Sequence, residues 1–344
     1  MTTLYLIRHA EAEGNVFRRL QGQYDSFITP NGMKQIAALA KRFDGVAVDA
    51  VYASDLTRTR TTAQAICVPK GLELHPEPRF REMHCGVWEN LPFGYLDHVD
   101  PERNYAFSHR AREWFVEESE TFPVYTGRFL QALEEVARRH EGGSVAVFSH
   151  GMVMRGAMQR LFFPDRDNLG HSENTAVTKL LWDGGSFRLE YLNDGSHLPP
   201  EISTLGRQLW WRGGDHRDFN MWYRDAEVGD ELLLKQLGLP EVRSGIVRIS
   251  MLTDRPSGAL LLRTDGPETT RLDYLALLPA HRGIGLSAQL LGEAVSLSRD
   301  AGKQVLTLPE TVECPAARRL FESYGFRDGQ LPLKPRVIPF GGGL

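Results

Sequence analysis

TTLYLIRHAEAEGN, residues 2–15, runs Leu4 to Ile7 straight into Arg8 and His9. A short apolar run of this kind reads as a buried strand. A cation and an imidazole side by side at its end are common by chance, so the pair gains meaning only from the rest of the chain. Outward from it, strands and helices alternate. Thr29-Pro30 places a capping hydroxyl before a proline at the first helical position, and Ile36, Leu39, Ala40 and Phe43 then share one helical face. Asp49–Ala53 predicts a second strand and Leu56–Ile66 a helix. Val124–His140 predicts a longer helix, with Leu130, Leu133, Val136 and Ala137 as its apolar stripe. Ser144–Phe148 reads as another buried strand, followed by Ser149-His150-Gly151 and a helix to Phe162. Thr175–Trp182 and Phe187–Leu192 flank Asp183-Gly184-Gly185 as a hairpin. This order predicts an α/β fold with a mostly parallel sheet covered on both faces.

A length of 344 residues suggests two domains. The break falls in "NDGSHLPPE", residues 193–201, a cluster of turn formers. Beyond it, "LWWRGGDHRDFNMWYRDAE" (residues 209–227) is rich in aromatics and charge. Ile246–Thr253 and Gly258–Thr264 predict a hairpin and Thr270–Leu278 a strand. Ser287–Arg299 predicts a helix, Val305–Leu308 a strand and Pro315–Tyr324 a helix. The tail "PRVIPFGGGL" (residues 335–344) reads as loose. The net charge of −4 lacks any basic block and argues against nucleic-acid or anionic-membrane partners. No apolar run approaches a membrane span, and the N-terminus lacks a signal pattern, so Met1 is expected to begin the mature protein. Cys67, Cys85 and Cys314 are too few and too scattered for a disulfide framework or a zinc site, and a cytoplasmic location is expected.

In open parallel sheets, ligands bind past the carboxyl ends of the strands. Arg8-His9 and Ser149-His150 both fall at such ends, and Arg58 falls in the first turn of a helix that follows a strand. Two imidazoles, two guanidiniums and a helix N-terminus suit a phosphoryl group, since arginine grips two oxygens at once. "RHAEAEGN" resembles the R-H-G-E-T-x-x-N signature of the histidine phosphatase superfamily, the phosphoglycerate mutase-like fold. "SDLTRTRTTA", "FREMHCGVWEN", "FSHGMVMR" and "LNDGSHL" resemble its later blocks, in order, over about residues 1–198. The resemblance implies a three-layer α/β/α domain and metal-independent phosphomonoester hydrolysis. It implies that His9 becomes phosphohistidine, and that Arg8, Asn15, Gly22, Arg58, His150 and Gly151 hold the phosphate. It also makes Glu82 the proton donor and then the base. For that role Glu82 must hold a proton near neutrality, for which burial beside Met83 and Trp88, together with the incoming phosphate dianion, is the expected cause. Ala10, Ala12 and Asn90 depart from the family pattern. The short interval from Glu82 to His150 resembles the phosphatase branch rather than the mutase branch, which stays the alternative. Residues 90–122 are expected to form a lid whose aromatics, among them Phe93, Tyr105, Phe107 and Trp114, serve substrate selection or a small core. His75, His84, His98, His109, His140 and His171 read as surface or packing residues.

"LALLPAHRGIGLSAQLL", residues 275–291, ends a strand and passes through glycines into a helix. It resembles motif A of the GNAT-type N-acetyltransferases, and "CPAARRLFESYGFRD" resembles a later segment of that family. The resemblance covers about residues 205–335 and implies a mixed sheet. It implies acetyl-CoA as cofactor, with the backbone of Leu275, Ala276 and Leu277 on its pantetheine arm. Arg282, Gly283, Ile284, Gly285, Leu286, Ser287 and Ala288 would surround its pyrophosphate. Cys314 and Phe321 replace the usual Asn and Tyr, and Tyr324 is the candidate substitute proton donor. The expected partners are a small-molecule phosphate ester and a small-molecule amine, with no metal; a homodimer stays open. The alternative for this domain is a binding or oligomerisation module.

Overall fold

A computed structural model describes residues 1–208, 219–239, 244–310, 312 and 314–342. The chain opens with β1 (Thr2–Arg8), α1 (Glu13–Phe17), α2 (Pro30–Arg42), β2 (Ala50–Ala53), α3 (Thr57–Lys70) and β3 (Leu74–Pro76). There follow α4 (Phe93–Val99), α5 (Pro101–His109), α6 (Phe122–Arg139), β4 (Ser144–Ser149), α7 (Gly151–Phe162), β5 (Val177–Trp182) and β6 (Phe187–Asp194). The sheet order is β3-β2-β4-β1-β5-β6. The first four strands are parallel, and the β5–β6 hairpin joins them through an antiparallel pairing of β5 with β1. Thr29 caps α2 by accepting from the Gly32 amide at 3.0 Å, as its Thr-Pro start predicts. β1 and β4 are neighbours, and the His9 amide donates to Ser149 O at 2.9 Å. Arg8-His9 and Ser149-His150 therefore leave the sheet together.

The second unit comprises α8 (Thr204–Arg207), β7 (Met221–Asp225), α9 (Glu231–Leu237), β8 (Ile246–Leu252), β9 (Arg255–Thr264) and β10 (Thr269–Leu277). It continues with α10 (Leu286–Asp300), β11 (Val305–Thr307), α11 (Pro315–Ser323) and β12 (Gln330–Pro332). Its sheet runs β12-β11-β10-β9-β8-β7 and is mixed, β10 and β11 being the parallel pair. Most of the aromatic stretch at 209–227 falls on residues 209–218, outside the described ones; Met221–Asp225 of that stretch is a strand. Among the described residues, no helix is long and apolar enough to cross a membrane.

The two units share a packed seam. Phe17 at the end of α1 joins the apolar core under the second sheet and sits against Gly292 of α10, where a Cβ would fall 2.5 Å from its ring. Arg19 pairs with Glu293 at 2.9 Å, and Arg299 with Glu13 at 2.8 Å. His98 stacks on Trp222 with ring centroids 4.0 Å apart. The tail is not loose. Ile338 is 2% exposed within the core of the first sheet, and its amide donates to Thr61 Oγ1 at 3.3 Å, so apolar burial fixes a segment without regular structure.

Candidate active site

The strand ends and helix starts of the first sheet surround a cleft of about 640 Å³. Arg8, His9, Asn15, Gly22, Arg58, Glu82 and Gly151 all line it. His150 is fully buried directly behind, its ring centroid 5.3 Å from that of His9. His9 Nδ1 lies 2.7 Å from its neighbour's Ala10 carbonyl, which can only accept, so the proton sits on Nδ1 and Nε2 keeps its lone pair. Burial lowers the His9 pKa well below 6.5, with the Arg58 and Arg8 charges adding to it. Burial and the same arginines hold His150 low as well. Both ring nitrogens of His150, Arg8 Nε and Arg58 Nε are buried without a hydrogen-bond partner among the described residues. Orphaned donors of this kind, gathered at one spot, fit an anion.

Arg58 is held in place by donating to Gly22 O at 2.7 Å and to Tyr24 O at 2.9 Å. Gly22 itself has φ +50°, and a Cβ there would meet the Glu89 carboxylate at 2.4 Å, so glycine suits this position. Asn15 Oδ1 accepts from the Ala12 amide at 2.9 Å. Glu82 departs from its expected surroundings. Its carboxylate does not rest in an apolar niche beside Met83 and Trp88; it accepts from the amides of Met83 (3.0 Å), Met152 (2.9 Å) and Val153 (2.7 Å). Two of these are first-turn amides of α7, which have no intrahelical partner and draw in the carboxylate.

Asn90 has φ +60°, a left-handed conformation that asparagine tolerates in place of the family's glycine, and its side chain donates to Ser296 of α10 at 2.7 Å. His109 and His171, read from sequence as surface or packing residues, both line the cleft. His84 instead organises a loop, its Nδ1 contacting Glu118 O at 2.9 Å. The lid aromatics divide: Trp114 is buried against Phe107, whereas Phe93, Tyr105 and Phe107 line the cleft. Sequence reading missed Asn174, which donates to His9 O at 2.8 Å, and Arg155, a buried guanidinium in the cleft wall. It also missed Glu173, which accepts from Ser203, Thr204 and Leu205 and ties the inter-domain segment to the cleft rim.

The depressed histidines make stability pH-dependent. Their folded pKa lies below the unfolded value near 6.5, so on acidification the unfolded chain takes up protons first and stability falls below that pH. Each contributes at most about 1.4 kcal/mol per pH unit. Urea unfolding at pH 7.5 and 5.5 is expected to show a smaller acid loss in His9→Gln/His150→Gln than in wild type. An unchanged difference would show that neither ring resists protonation.

In the second sheet, β10 pairs with β11 through Thr269–Arg271, and among the described residues no strand pairs with Leu275, Ala276 and Leu277 on that side. Arg282 Nε donates to Leu277 O at 2.8 Å and closes the loop that follows. Gly283 (φ +78°) and Gly285 (φ +89°) face open space, with no described atom within 4 Å of where a Cβ would stand. Gly285 caps α10 with no side chain on the amides of Leu286, Ser287 and Ala288; Ile284 beside it is 40% exposed. An open strand edge beside an uncapped, glycine-lined helix start fits a pantetheine arm and its pyrophosphate. Phe321 is a core residue, 7% exposed and packed on Phe326. Tyr324 packs against Phe17 of the first unit, with ring centroids 5.8 Å apart. Cys314 is exposed at the N-cap of α11.

Residues 4–195 match the histidine phosphatase superfamily (branch 1), and residues 208–326 match the acetyltransferase (GNAT) family. A probable phosphoglycerate mutase GpmB of Serratia proteamaculans is 34% identical over 45% of this chain and 72% of its own length. Bacillus stearothermophilus YhfR is similar in structure, with a TM-score of 0.55 and 32% identity over 57% of this chain and 99% of its own. A mycobacterial glucosyl-3-phosphoglycerate phosphatase superposes with a TM-score of 0.52 at 25% identity, covering 56% of this chain and 99% of its own.

Proposed function

Because the chain belongs to the histidine phosphatase superfamily, we propose that it hydrolyses phosphate monoesters through a phosphohistidine on His9 and, in its second domain, transfers an acetyl group from acetyl-CoA to a small amine. We place the domains at 1–198 and 205–335. The observation that carries the first activity is the neutral His9 ring, with Nε2 unprotonated beside orphaned arginine donors. His9 Nε2 attacks phosphorus, and the P–O ester bond breaks as Glu82 delivers a proton to the leaving oxygen. Water then attacks the phosphohistidine, its proton passes to Glu82, and phosphate leaves with His9 restored. Arg8 and Arg58 neutralise the charge that gathers on the equatorial oxygens, and the neutral His150 ring donates a hydrogen bond to one of them. The α7 amides of Met152 and Val153 hold the Glu82 carboxylate in place for this role.

For the second domain, acetyl-CoA supplies the activated thioester. The backbone of Leu275–Leu277 and the loop from Arg282 to Ala288 would hold it. Phe321 in the core removes one family proton donor, which keeps a binding module as the rival reading of this domain. A single set of assays separates the readings. Phosphate release from a panel of monoesters is expected without added 2,3-bisphosphoglycerate; a strict requirement for it would establish a mutase instead. Calorimetry is expected to show one acetyl-CoA site, lost in Gly283→Val. Binding without acetylation of any amine in the panel would leave a binding module, and no binding would leave only a structural or oligomerisation role.

A further inference from the structure

The Ala10 carbonyl, which sets the proton on His9 Nδ1, belongs to the peptide that joins Ala10 to Glu11. The other end of that peptide is the Glu11 N–H, which donates to Gln35 Oε1 at 2.7 Å. Gln35 stands on α2 and is fully buried. Its partners decide which way its side-chain amide points. The Glu11 N–H can only donate, so the amide oxygen faces it. Nε2 then faces Ile202 O, which can only accept, at 2.8 Å. Nε2 also donates to Thr204 Oγ1 at 2.9 Å, and the Thr204 hydroxyl donates to Glu11 Oε2 at 2.9 Å. Gln35, Thr204 and Glu11 thus close a ring of directed hydrogen bonds behind the nucleophile.

The neighbouring peptides are held by other groups. The Ala10 N–H donates to Thr62 Oγ1 at 2.9 Å, and Glu11 O accepts from the Thr29 N–H at 2.9 Å. α2 also lies so close that a Cβ at Gly32 would fall 2.2 Å from Glu11 O. The course of the chain is therefore fixed without Gln35, and Gln35 sets the tilt of the Ala10–Glu11 plane. A buried N–H robbed of its acceptor seeks another. As that plane turns, the Ala10 carbonyl leaves Nδ1. Ile202 and Thr204 lie beyond residue 195, where the match to the phosphatase superfamily ends. The segment between the domains thus supplies both acceptors that aim Gln35. The Thr204 amide is tied separately to Glu173 at 3.2 Å, so its hydroxyl can be removed with the segment still anchored.

We propose that Gln35 is a positioning residue for His9, aimed by the Thr204 hydroxyl of the inter-domain segment, and that it keeps the attacking Nε2 bare by holding the Ala10 carbonyl against Nδ1. The segment that tethers the second domain thereby completes the setting of the nucleophile in the first. This rests on the phosphatase reading above.

The full chain is assayed with para-nitrophenyl phosphate. The His9 tautomer is read by ¹⁵N NMR of histidine-labelled protein, the His9 signals being those missing from His9→Ala. Wild type is expected to show a protonated Nδ1 and a bare Nε2. Gln35→Met, of similar size, is expected to lower kcat by about tenfold or more with KM within about threefold, since the nucleophile's geometry changes and the phosphate donors do not. It is also expected to move part of the His9 proton to Nε2. Thr204→Val is expected to lower kcat about threefold, and Thr204→Ser, which keeps the hydroxyl, to restore it. In Gln35→Met/Thr204→Val, kcat is expected to match Gln35→Met alone, because Thr204 acts through Gln35. An unchanged tautomer in Gln35→Met, additive losses in the double variant, or equal kcat in Thr204→Val and Thr204→Ser would overturn the proposal while leaving the phosphatase reading intact. Should Gln35→Met not fold, the two Thr204 variants decide the matter. No turnover by wild type, with no phosphoryl label on His9, would remove the phosphatase reading and this proposal with it.

Discussion

His9→Ala is expected to lower phosphate release by roughly 10⁴-fold or more, the scale seen when a nucleophile is removed from an intact site. The size follows from how the ring is prepared. The Ala10 carbonyl fixes the proton on Nδ1, burial and the two arginines keep the ring neutral, and Nε2 is left as the one lone pair aimed for attack. Water replacing the imidazole would have to attack with no comparable activation. His150 cannot step in. Its ring centroid is 5.3 Å from that of His9 and it is neutral for the same electrostatic reasons, but in the proposed mechanism it holds the phosphoryl oxygens instead of meeting phosphorus. The check is rapid acid-free quenching with a ³²P-labelled monoester: wild type is expected to carry base-stable, acid-labile label and His9→Ala none. Acetyl-CoA binding is expected to survive in the same protein, because His9 takes no part in the second sheet. Label persisting in His9→Ala, or activity above about a hundredth of wild type, would place the nucleophile elsewhere.

How far the sequence revealed this site depends on what kind of signal each residue carries. His9 and His150 were legible because each ends a short apolar run, and adjacent parallel strands must deliver their ends to one edge. Arg58 was legible because it opens a helix after a strand. The expected α/β layering and the β5–β6 hairpin follow from patterns within single segments, and both appear. What the sequence did not disclose depends on long-range packing. α1 is five residues long, too short for periodicity to register, yet it joins the two units through Phe17 and Glu13. β7 carries Trp222, Arg224 and Asp225 among its apolar residues, so the alternation is blurred. Glu82 was assigned an apolar setting from its sequence neighbours, while its actual setting is made by the amides of α7, some 70 positions away. Met83, Cys85 and Trp88 meanwhile turn into the core. Asn174 had a faint signal as a polar residue just before an edge strand. Thr204 had none, since no local pattern marks a residue between two domains that reaches the surroundings of the nucleophile.

Glu293→Ala is expected to cost about 3–5 kcal/mol, the range for removing one partner of a buried ion pair. Glu293 sits mid-way along α10 with its side chain 4% exposed, and it accepts from Arg19 Nη1 at 2.9 Å and from Arg248 Nε at 3.0 Å. One carboxylate thus answers two guanidiniums, one from each unit. Arg19 is itself 9% exposed, and its remaining partners, Ser296 and Asn90, are neutral. Without Glu293 its direct hydrogen-bond partners are neutral oxygens and Asp300 acts on it only through space, whereas Arg248 retains Asp225 at 2.8 Å near the surface. The loss therefore falls on the seam rather than on either sheet's own core. Chemical unfolding should turn from one transition into two, the units no longer melting together. Because Arg19 also lines the cleft, KM for monoesters should rise in the same variant while the calorimetric acetyl-CoA site persists. Glu293→Gln retains an acceptor but no charge and is expected to fall between Ala and wild type. A loss below about 1 kcal/mol in Glu293→Ala, typical of exposed pairs, would mean that water reaches Arg19 and that the seam is held by Phe17 and its apolar neighbours alone.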